Sequence, residues 1–386
     1  MKIVADANIP FVKEAFSSIG QVETCKGRGL SPEQITDADI LLVRSVTPVN
    51  ASLLAQSRVK FVGSSTIGVD HVDQDYLKQH SIGFANAPGS NATSAAEYVI
   101  TALMLTAQRL GFALQEKSVG IVGCGNVGSR VLKRLTDLGV KCKVNDPPRA
   151  TKYTDLDYVS LDEALKADIV TVHTPLIKQG LYKTYHLFNE DRLRALKANA
   201  IFINTSRGSV VDESALKSVV DKRQDMTLIL DVWENEPAID IELLKFVSIA
   251  TPHIAGYSID GKVRGTEMIC AAACTQFGCA THWQAANADL PVSATIDLTD
   301  SKIVAQKQSE DQLLFNAVLC AYDILKDDSD LRKITNMPTL ERSAHFDNLR
   351  KNYPIRREFA NQQVKVSPEH KVLPKKLTAL GFKLIF

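Results

Sequence analysis

The sequence has no run of about 18 or more apolar residues, so it offers no segment able to cross a bilayer as a helix. No basic start, apolar stretch and small-residue cleavage site follow Met1, and the expectation is a cytoplasmic chain with no membrane partner. Net charge is almost absent, since 45 Lys and Arg against 44 Asp and Glu leave +1 at pH 7. Such a chain has no general attraction for nucleic acid, which is not expected as a partner, and an anion must be recognised by locally placed Arg and Lys. Cysteine is sparse and odd in number, seven in all, which excludes a secreted disulfide framework. The one cluster, Cys270, Cys274 and Cys279, lies at helical spacing in an Ala-rich stretch with no second ligand pair, so no metal is expected. Internal repeats and low-complexity tracts are also missing. What is present, 386 residues with 45% hydrophobic content, is enough for two or three domains with sizeable cores.

Short apolar runs alternate with helical patterns from the start: MKIVAD, DILLVRS and KFVGSS, the alternation of a parallel sheet. Ser31, Pro32 and Gln34 mark a helix start. A longer helix is expected to open at Ser94, with Glu97 completing a capping box, and to end near Gly111. A second alternating series follows, with strands at VGIVG, KCKVND, DIVTVHT, AIFINTS, LILDVW and VSIAT, the signature of a Rossmann-type doubly wound domain. After Gly256 the pattern is helical through Cys279. From about Asn287 it changes character: an extended polar stretch, a helix over Ser309 to Lys326 with Leu314, Val318, Ala321 and Leu325 on one face, and a terminal strand, GFKLIF.

Gly123, Gly125 and Gly128 in GCGNVG, with Asn126 and Val127 between them, follow an apolar strand and open a helix. In that context the spacing predicts a dinucleotide loop: a tight turn, a close backbone approach to pyrophosphate, and close helix–strand packing. Asp146 ends the next strand, where an acid meets the ribose hydroxyls and disfavours a 2′-phosphate, so the expected cofactor is NAD; capping the turn at Pro147 and Pro148 is its bland alternative. Arg149 lies close behind.

Arg207, Glu236 and His253 fall at the ends of successive predicted strands, and the carboxyl ends of strands line the ligand crevice of an open parallel sheet. Oxidation of a 2-hydroxy acid needs a base for the hydroxyl proton, for which His is suited, and a cation that grips the carboxylate by two hydrogen bonds, for which Arg is suited. A carboxylate such as Glu236 orients the imidazole and stabilises its protonated form. Thr174, after the third strand of this series, Asp231, at the end of the fifth, and Ser206 are candidate cofactor neighbours, whereas His173 reads as structural.

These residues resemble the D-isomer-specific 2-hydroxyacid dehydrogenase family through GSSTIGVDHVD, NAPGSNATSAAEYV, GIVGCGNVG, VHTPL, INTSRGSVVDE, LDVWENEP and TPHIAGYS, over roughly residues 1 to 285. The resemblance implies a flavodoxin-like parallel α/β substrate domain (1–92 plus 256–285), a Rossmann NAD domain (93–255) and a small α+β C-terminal domain (286–386). It assigns the family's catalytic Arg, Glu and His roles to Arg207, Glu236 and His253, and contact with NAD to Asp146, Thr174, Asp231 and Gly256. KIVADANIP, VRSVTPVN and FDNLRKNYPIRREF narrow it to a member acting on a small phosphorylated 2-hydroxy acid, with Ser45, Thr66 and Tyr257 facing the substrate. Tyr98 departs from the family, where many members carry His. Two other readings stay open: an enzyme for 3-phosphoglycerate, which shares every catalytic residue, and an NAD-sensing corepressor on the same fold. A substrate phosphate needs cations besides Arg207. Arg44, in the loop after the second expected strand, and Arg350, Arg356 and Arg357 around Tyr353 are the candidates. The C-terminal domain offers apolar area to a second copy, so a homodimer is expected, with a tail arginine near the partner's substrate cleft.

Overall fold

A strand buried on both faces reads as a continuous apolar run, because successive side chains point to opposite sides. In the computed structural model, which describes residues 1–280, 283–300 and 308–386, the first such runs are Lys2–Asp6 (β1), Ile40–Val43 (β3) and Phe61–Ser64 (β4). With Gln21–Cys25 (β2) and Gly83–Ala85 (β5) they form a parallel sheet in the order β2-β1-β3-β4-β5. Ile3, Ala5, Ile40 and Leu42 face Val12, Phe16 and the helix Ile259–Phe277, while Val4, Leu41, Val43 and Val62 face Ile35, Leu53 and Leu77. The sequence pattern does not display β2, because it is an edge strand whose Gln21, Glu23 and Thr24 are exposed; Arg44 therefore follows the third strand rather than the second. At Ser31 only a short 3-10 turn forms, Pro32–Ile35, with the Gln34 side chain accepting from the Ser31 amide at 3.0 Å.

The chain divides into two units, Met1–Ala92 with Tyr257–Pro291, and Thr93–Gly256 with Val292–Phe386. In the second, Ser118–Val122 (β6), Lys141–Asn145 (β7), Ile169–Val172 (β8), Ile201–Asn204 (β9), Thr227–Leu230 (β10) and Val247–Ala250 (β11) form a parallel sheet in the order β11-β10-β9-β8-β6-β7. The order reverses between β6 and β8, so the loop leaving β6 opens onto the crevice that such a switch point creates.

The helix expected to start at Ser94 spans Ala92–Leu110 and ends at Gly111, whose φ of 71° suits glycine. Ser94 and Glu97 lie inside it and are not a capping box. Ser94 Oγ donates to Glu358 at 2.9 Å; Glu97 Oε1 accepts from the Phe359 amide at 3.0 Å and from Arg134 at 3.4 Å. Burial first, then the neighbouring Glu358 carboxylate, push the Glu97 pKa up to about 8 against the pull of Arg134 and Arg356. An unfolded glutamate titrates near 4.5, so the folded state holds the extra proton between 4.5 and about 8, and stability falls as pH rises through that window. Glu97→Gln removes this dependence. The expected result is a parent Tm that declines relative to the variant from pH 4.5 to 8; a constant difference across the window contradicts a protonated Glu97.

The rest of the second unit includes Ile296–Asp297 (β12), Gln363–Lys365 (β13) and Lys383–Ile385 (β14), a parallel sheet in the order β12-β13-β14. The single helix expected over 309–326 is two, Glu310–Ala321 and Ile324–Arg332. The chain turns extended at Tyr322, and Asp323 starts the second helix by accepting from the Lys326 amide at 3.1 Å. Leu314 and Val318 are buried, but Leu325 turns to the surface. The second helix packs on β11. Asp328 accepts from the Ala250 amide at 2.8 Å, Arg332 donates to the Val247 carbonyl at 2.6 Å, and Leu331, Ile334 and Phe346 join the core of Leu228, Leu230 and Val247. Among the described residues no helix is long and apolar enough to cross a membrane.

Candidate active site

The loop after β6 has the geometry a dinucleotide needs. Gly123 has a φ of 89°, and a Cβ there would lie 2.8 Å from the His173 carbonyl. A Cβ on Gly128 would lie 2.0 Å from the Gly123 carbonyl oxygen, so this glycine lets the helix Asn126–Asp137 sit against the strand end. Among the described residues nothing comes within 4 Å of the Cβ position of Gly125 and no side chain caps the helix it opens, which leaves first-turn amides beside open space. Asn126 is exposed there and Val127 half-buried. Thr174 Oγ1, across the loop from Gly123, is buried without a hydrogen-bond partner among the described residues. An anion cradle with an unsatisfied hydroxyl at its edge fits a bound NAD. Asp146 both ties the loop and caps: Oδ2 accepts from the Cys124 amide at 2.7 Å and Oδ1 from the Arg149 amide at 3.0 Å. Arg149 is held by Asp155 at 3.0 Å and Tyr158 at 3.1 Å, so it is no counter-charge to Asp146.

Arg207, Glu236 and His253 follow β9, β10 and β11, which are neighbours in the sheet. Glu236 Oε2 meets His253 Nδ1 at 2.8 Å, and Glu236 Oε1 accepts from the Trp233 amide at 2.9 Å. Burial alone would raise the Glu236 pKa, yet the His253 charge and hydrogen bond, the Arg350 charge and the Trp233 amide together bring it below the ordinary value. An ionised Glu236 bonded to Nδ1 fixes the ring and leaves Nε2 to exchange a proton with a ligand. Arg207 is held in an extended conformation by its neighbours: Asn204 donates to the Arg207 carbonyl at 3.0 Å and accepts from the Ser206 amide and hydroxyl at 3.0 and 2.7 Å. Ser206 is thus committed to shaping this loop. A Cβ on Gly208 would lie 1.9 Å from the Trp233 carbonyl carbon, so the Arg207 loop rests directly on the backbone that leads to Glu236.

His253 has a φ of 57°, a left-handed conformation unusual outside glycine, and Asp231 holds it there. Its carboxylate accepts from the Ile254 and Ala255 amides at 2.8 and 2.9 Å and from the Thr251 hydroxyl at 2.6 Å, while the Asp231 carbonyl accepts from the His253 amide at 2.7 Å. Burial raises the Asp231 pKa against the opposing pull of His253 and these donors. Gly256 closes this turn. Thr251 has one hydroxyl proton and gives it to Asp231, so Tyr98, 2.7 Å away, donates to Thr251. Tyr98 and Thr251 therefore stand behind the His253 turn, a role that local sequence did not indicate beyond the rule that a buried tyrosine hydroxyl needs a partner. His173 lies between the Thr171 and Thr205 hydroxyls at 2.9 and 3.2 Å, and burial lowers its pKa to about 3, so it is neutral.

The tail arginines separate. Arg356 is buried, stacks 4.0 Å from the Tyr322 ring centroid and donates to the Ser94 carbonyl at 2.5 Å, which removes it as a phosphate ligand. Arg350 instead brings its charge to bear on Glu236 of the same chain. In the first unit, Arg44 and the exposed Ser45 follow β3, and Thr66 follows β4 with its hydroxyl 2.8 Å from Ser64. Tyr257 lies with its ring 4.6 Å below the Lys262 ammonium. Among the described residues no group of three or more His, Cys, Asp or Glu is placed to hold a metal ion.

Residues 90–255 match the family described as D-isomer specific 2-hydroxyacid dehydrogenase, NAD binding domain, and residues 299–381 match a domain of unknown function, DUF3410. The chain is 47% identical over 365 residues, 94% of either chain, to an Escherichia fergusonii protein named erythronate-4-phosphate dehydrogenase. It is 44% identical over 384 residues, 99% of either chain, to a Proteus mirabilis protein of the same name. Among solved structures it is similar to the Aquifex aeolicus D-lactate dehydrogenase complexed with NAD and lactic acid (TM-score 0.61, 26% identity, 72% of this chain and 96% of that one). It is likewise similar to the NAD+-bound 3-phosphoglycerate dehydrogenase of Entamoeba histolytica (TM-score 0.62, 26% identity, 72% and 95%).

Proposed function

Since the chain belongs to the D-isomer specific 2-hydroxyacid dehydrogenase family and is an NAD-dependent enzyme, we propose that it oxidises 4-phospho-D-erythronate at the 2-hydroxyl to 2-oxo-3-hydroxy-4-phosphobutanoate, a step of pyridoxal phosphate synthesis in the cytoplasm. The observation that carries the chemistry is the 2.8 Å bond from Glu236 to His253 Nδ1, which dedicates Nε2 to the substrate. Bound NAD supplies the hydride acceptor. His253 Nε2 takes the hydroxyl proton, Glu236 stabilises the imidazolium that results, and Arg207 aligns the carboxylate. Asp231, through the 253–255 turn, keeps the imidazole aimed. Gly123, Gly125, Asn126, Val127, Gly128, Asp146, Thr174 and Gly256 form the cofactor's surroundings, and Ser45, Thr66 and Tyr257 contact the substrate. The name shared by the two near-full-length relatives supports the choice of acid. Purified chain supplied with NAD and a panel of 2-hydroxy acids, read by reduced-nicotinamide absorbance, tests it. Turnover highest with 4-phospho-D-erythronate is expected; preference for 3-phosphoglycerate refutes the substrate, and no reduction of NAD refutes the reaction.

Cofactor choice rests on Asp146. Removing a charged hydrogen-bond partner in Asp146→Ala should weaken NAD binding by about 1–3 kcal/mol and erode discrimination against NADP. Asp146→Asn, which retains an acceptor for the Cys124 amide, isolates the charge from the loop tether. Equal affinities of the parent for NAD and NADP in a fluorescence titration would remove the argument. The same reading includes a homodimer through the C-terminal segment, supported by Ile385, the last residue of the edge strand β14, and Phe386 next to it, both exposed. Sedimentation of the full chain as a monomer contradicts it.

A further inference from the structure

The first unit contains a cation that none of these roles employs. Lys262 lies in the first turn of the helix Ile259–Phe277, whose cap Ser258 accepts from the Gly261 amide at 2.9 Å. The first turn of a helix carries partial positive charge and favours acids, so a lysine there is unfavourable unless something negative lies close. Lys262 is half-buried with its ammonium 4.6 Å from the Tyr257 ring centroid, and among the described residues no carboxylate pairs with it. Asp260 in the same turn is buried and engaged with other groups. Burial first, then the charge of Arg44, push the Lys262 pKa down to about 8, the opposite of what an ion pair does.

Arg44 has a partner, and the partner fixes where it sits. Its Nε lies 3.2 Å from Asp6 Oδ2, and Asp6, 1% exposed, also accepts from the Asn8 amide and side chain at 2.8 and 3.0 Å. Asp6 ends β1 and Arg44 follows β3. In the order β2-β1-β3-β4-β5 the strand order reverses between β1 and β3, and beyond the carboxyl ends at such a point an open sheet binds its ligand. One turn after Lys262, the Thr266 hydroxyl donates to the Pro10 carbonyl at 2.9 Å, which brings the start of this helix to the loop leaving β1. Two cations and one carboxylate at that point leave an excess positive charge, and the Asp6 contact engages only Nε, leaving the terminal nitrogens of the Arg44 fork to another acceptor.

We infer that Lys262 and Arg44 form the subsite for the terminal phosphate of the substrate, with Asp6 holding Arg44 and the Tyr257 ring supporting the Lys262 ammonium. The inference rests on the substrate being phosphorylated. Lys262 is then what distinguishes a phosphorylated 2-hydroxy acid from its plain counterpart.

Lys262→Met keeps the length and apolar bulk of the side chain and removes the charge. The expected result is a loss of about 10- to 100-fold in kcat/KM for 4-phospho-D-erythronate, carried by KM, the size of a charged hydrogen bond to phosphate. With D-erythronate, which lacks the phosphate, kcat/KM stays within about twofold, and competitive inhibition by inorganic phosphate weakens about tenfold or more. Lys262→Arg keeps the preference. Equal losses with both acids would show a structural role only, and an unchanged KM for the phosphorylated acid would show that Lys262 does not touch it; either overturns the subsite. If the parent itself does not prefer the phosphorylated acid, the substrate reading fails on its own. Inorganic phosphate inhibition against whichever 2-hydroxy acid is oxidised then decides: a weakened constant in Lys262→Met sustains the anion site, an unchanged one ends it.

Discussion

His253→Ala is expected to lower turnover by about two to four orders of magnitude while NAD still binds, because it removes the group that takes the hydroxyl proton and leaves the glycine loop untouched. Arg207→Ala should fall comparably, through lost alignment of the carboxylate and of the charge that develops beside it. Single-turnover hydride transfer, followed by nicotinamide absorbance with NAD affinity measured in parallel, checks both. A His253→Ala rate equal to the parent's would show that the proton leaves by another route. Glu236 is already ionised at neutral pH: its folded pKa lies below the ordinary value, so its favourable contribution is complete above the ordinary value and is lost as pH falls through the folded one.

Gly208→Ala should disable the enzyme nearly as thoroughly without altering any polar side chain. The added Cβ would come within 1.9 Å of the Trp233 carbonyl carbon and 2.0 Å of its oxygen, which are backbone atoms and cannot swing away. The loop with Arg207 and the segment leading to Glu236 must separate by an ångström or more. A displacement of that size costs about 10²-fold in rate. NAD affinity should persist, because Gly123, Gly125 and Gly128 are on a different loop. Normal kcat with a shifted Tm would mean that the strain is absorbed elsewhere and that Arg207 tolerates displacement.

Much of this is legible in the sequence alone. The glycine loop could be read because its meaning is local: a strand, three glycines at fixed spacing and a helix occupy one short stretch. Arg207, Glu236 and His253 were legible for a related reason. Each follows a recognisable apolar strand, and in a parallel sheet all strand ends of one kind lie on one edge, so order along the chain already implies proximity. Strand β2 was not legible, because an exposed edge needs no apolar run, and Ser94 with Glu97 reproduced the pattern of a helix start without being one.

The parallel α/β alternation, the cofactor loop and the edge on which the three catalytic candidates stand can all be read from the chain alone, because backbone periodicity and spacing within a few residues set them. The fate of polar groups whose partners are distant in the chain is settled by folding. Ser94 meets Glu358 across 264 positions and Tyr98 meets Thr251 across 153; Arg356 is consumed by the interior, and Lys262 has the charge of Arg44 nearby and no carboxylate pairing with it among the described residues. The physical reason is that the cost of burying a polar or charged group depends on what faces it, and no local pattern in a sequence records what will face a side chain after the chain has folded.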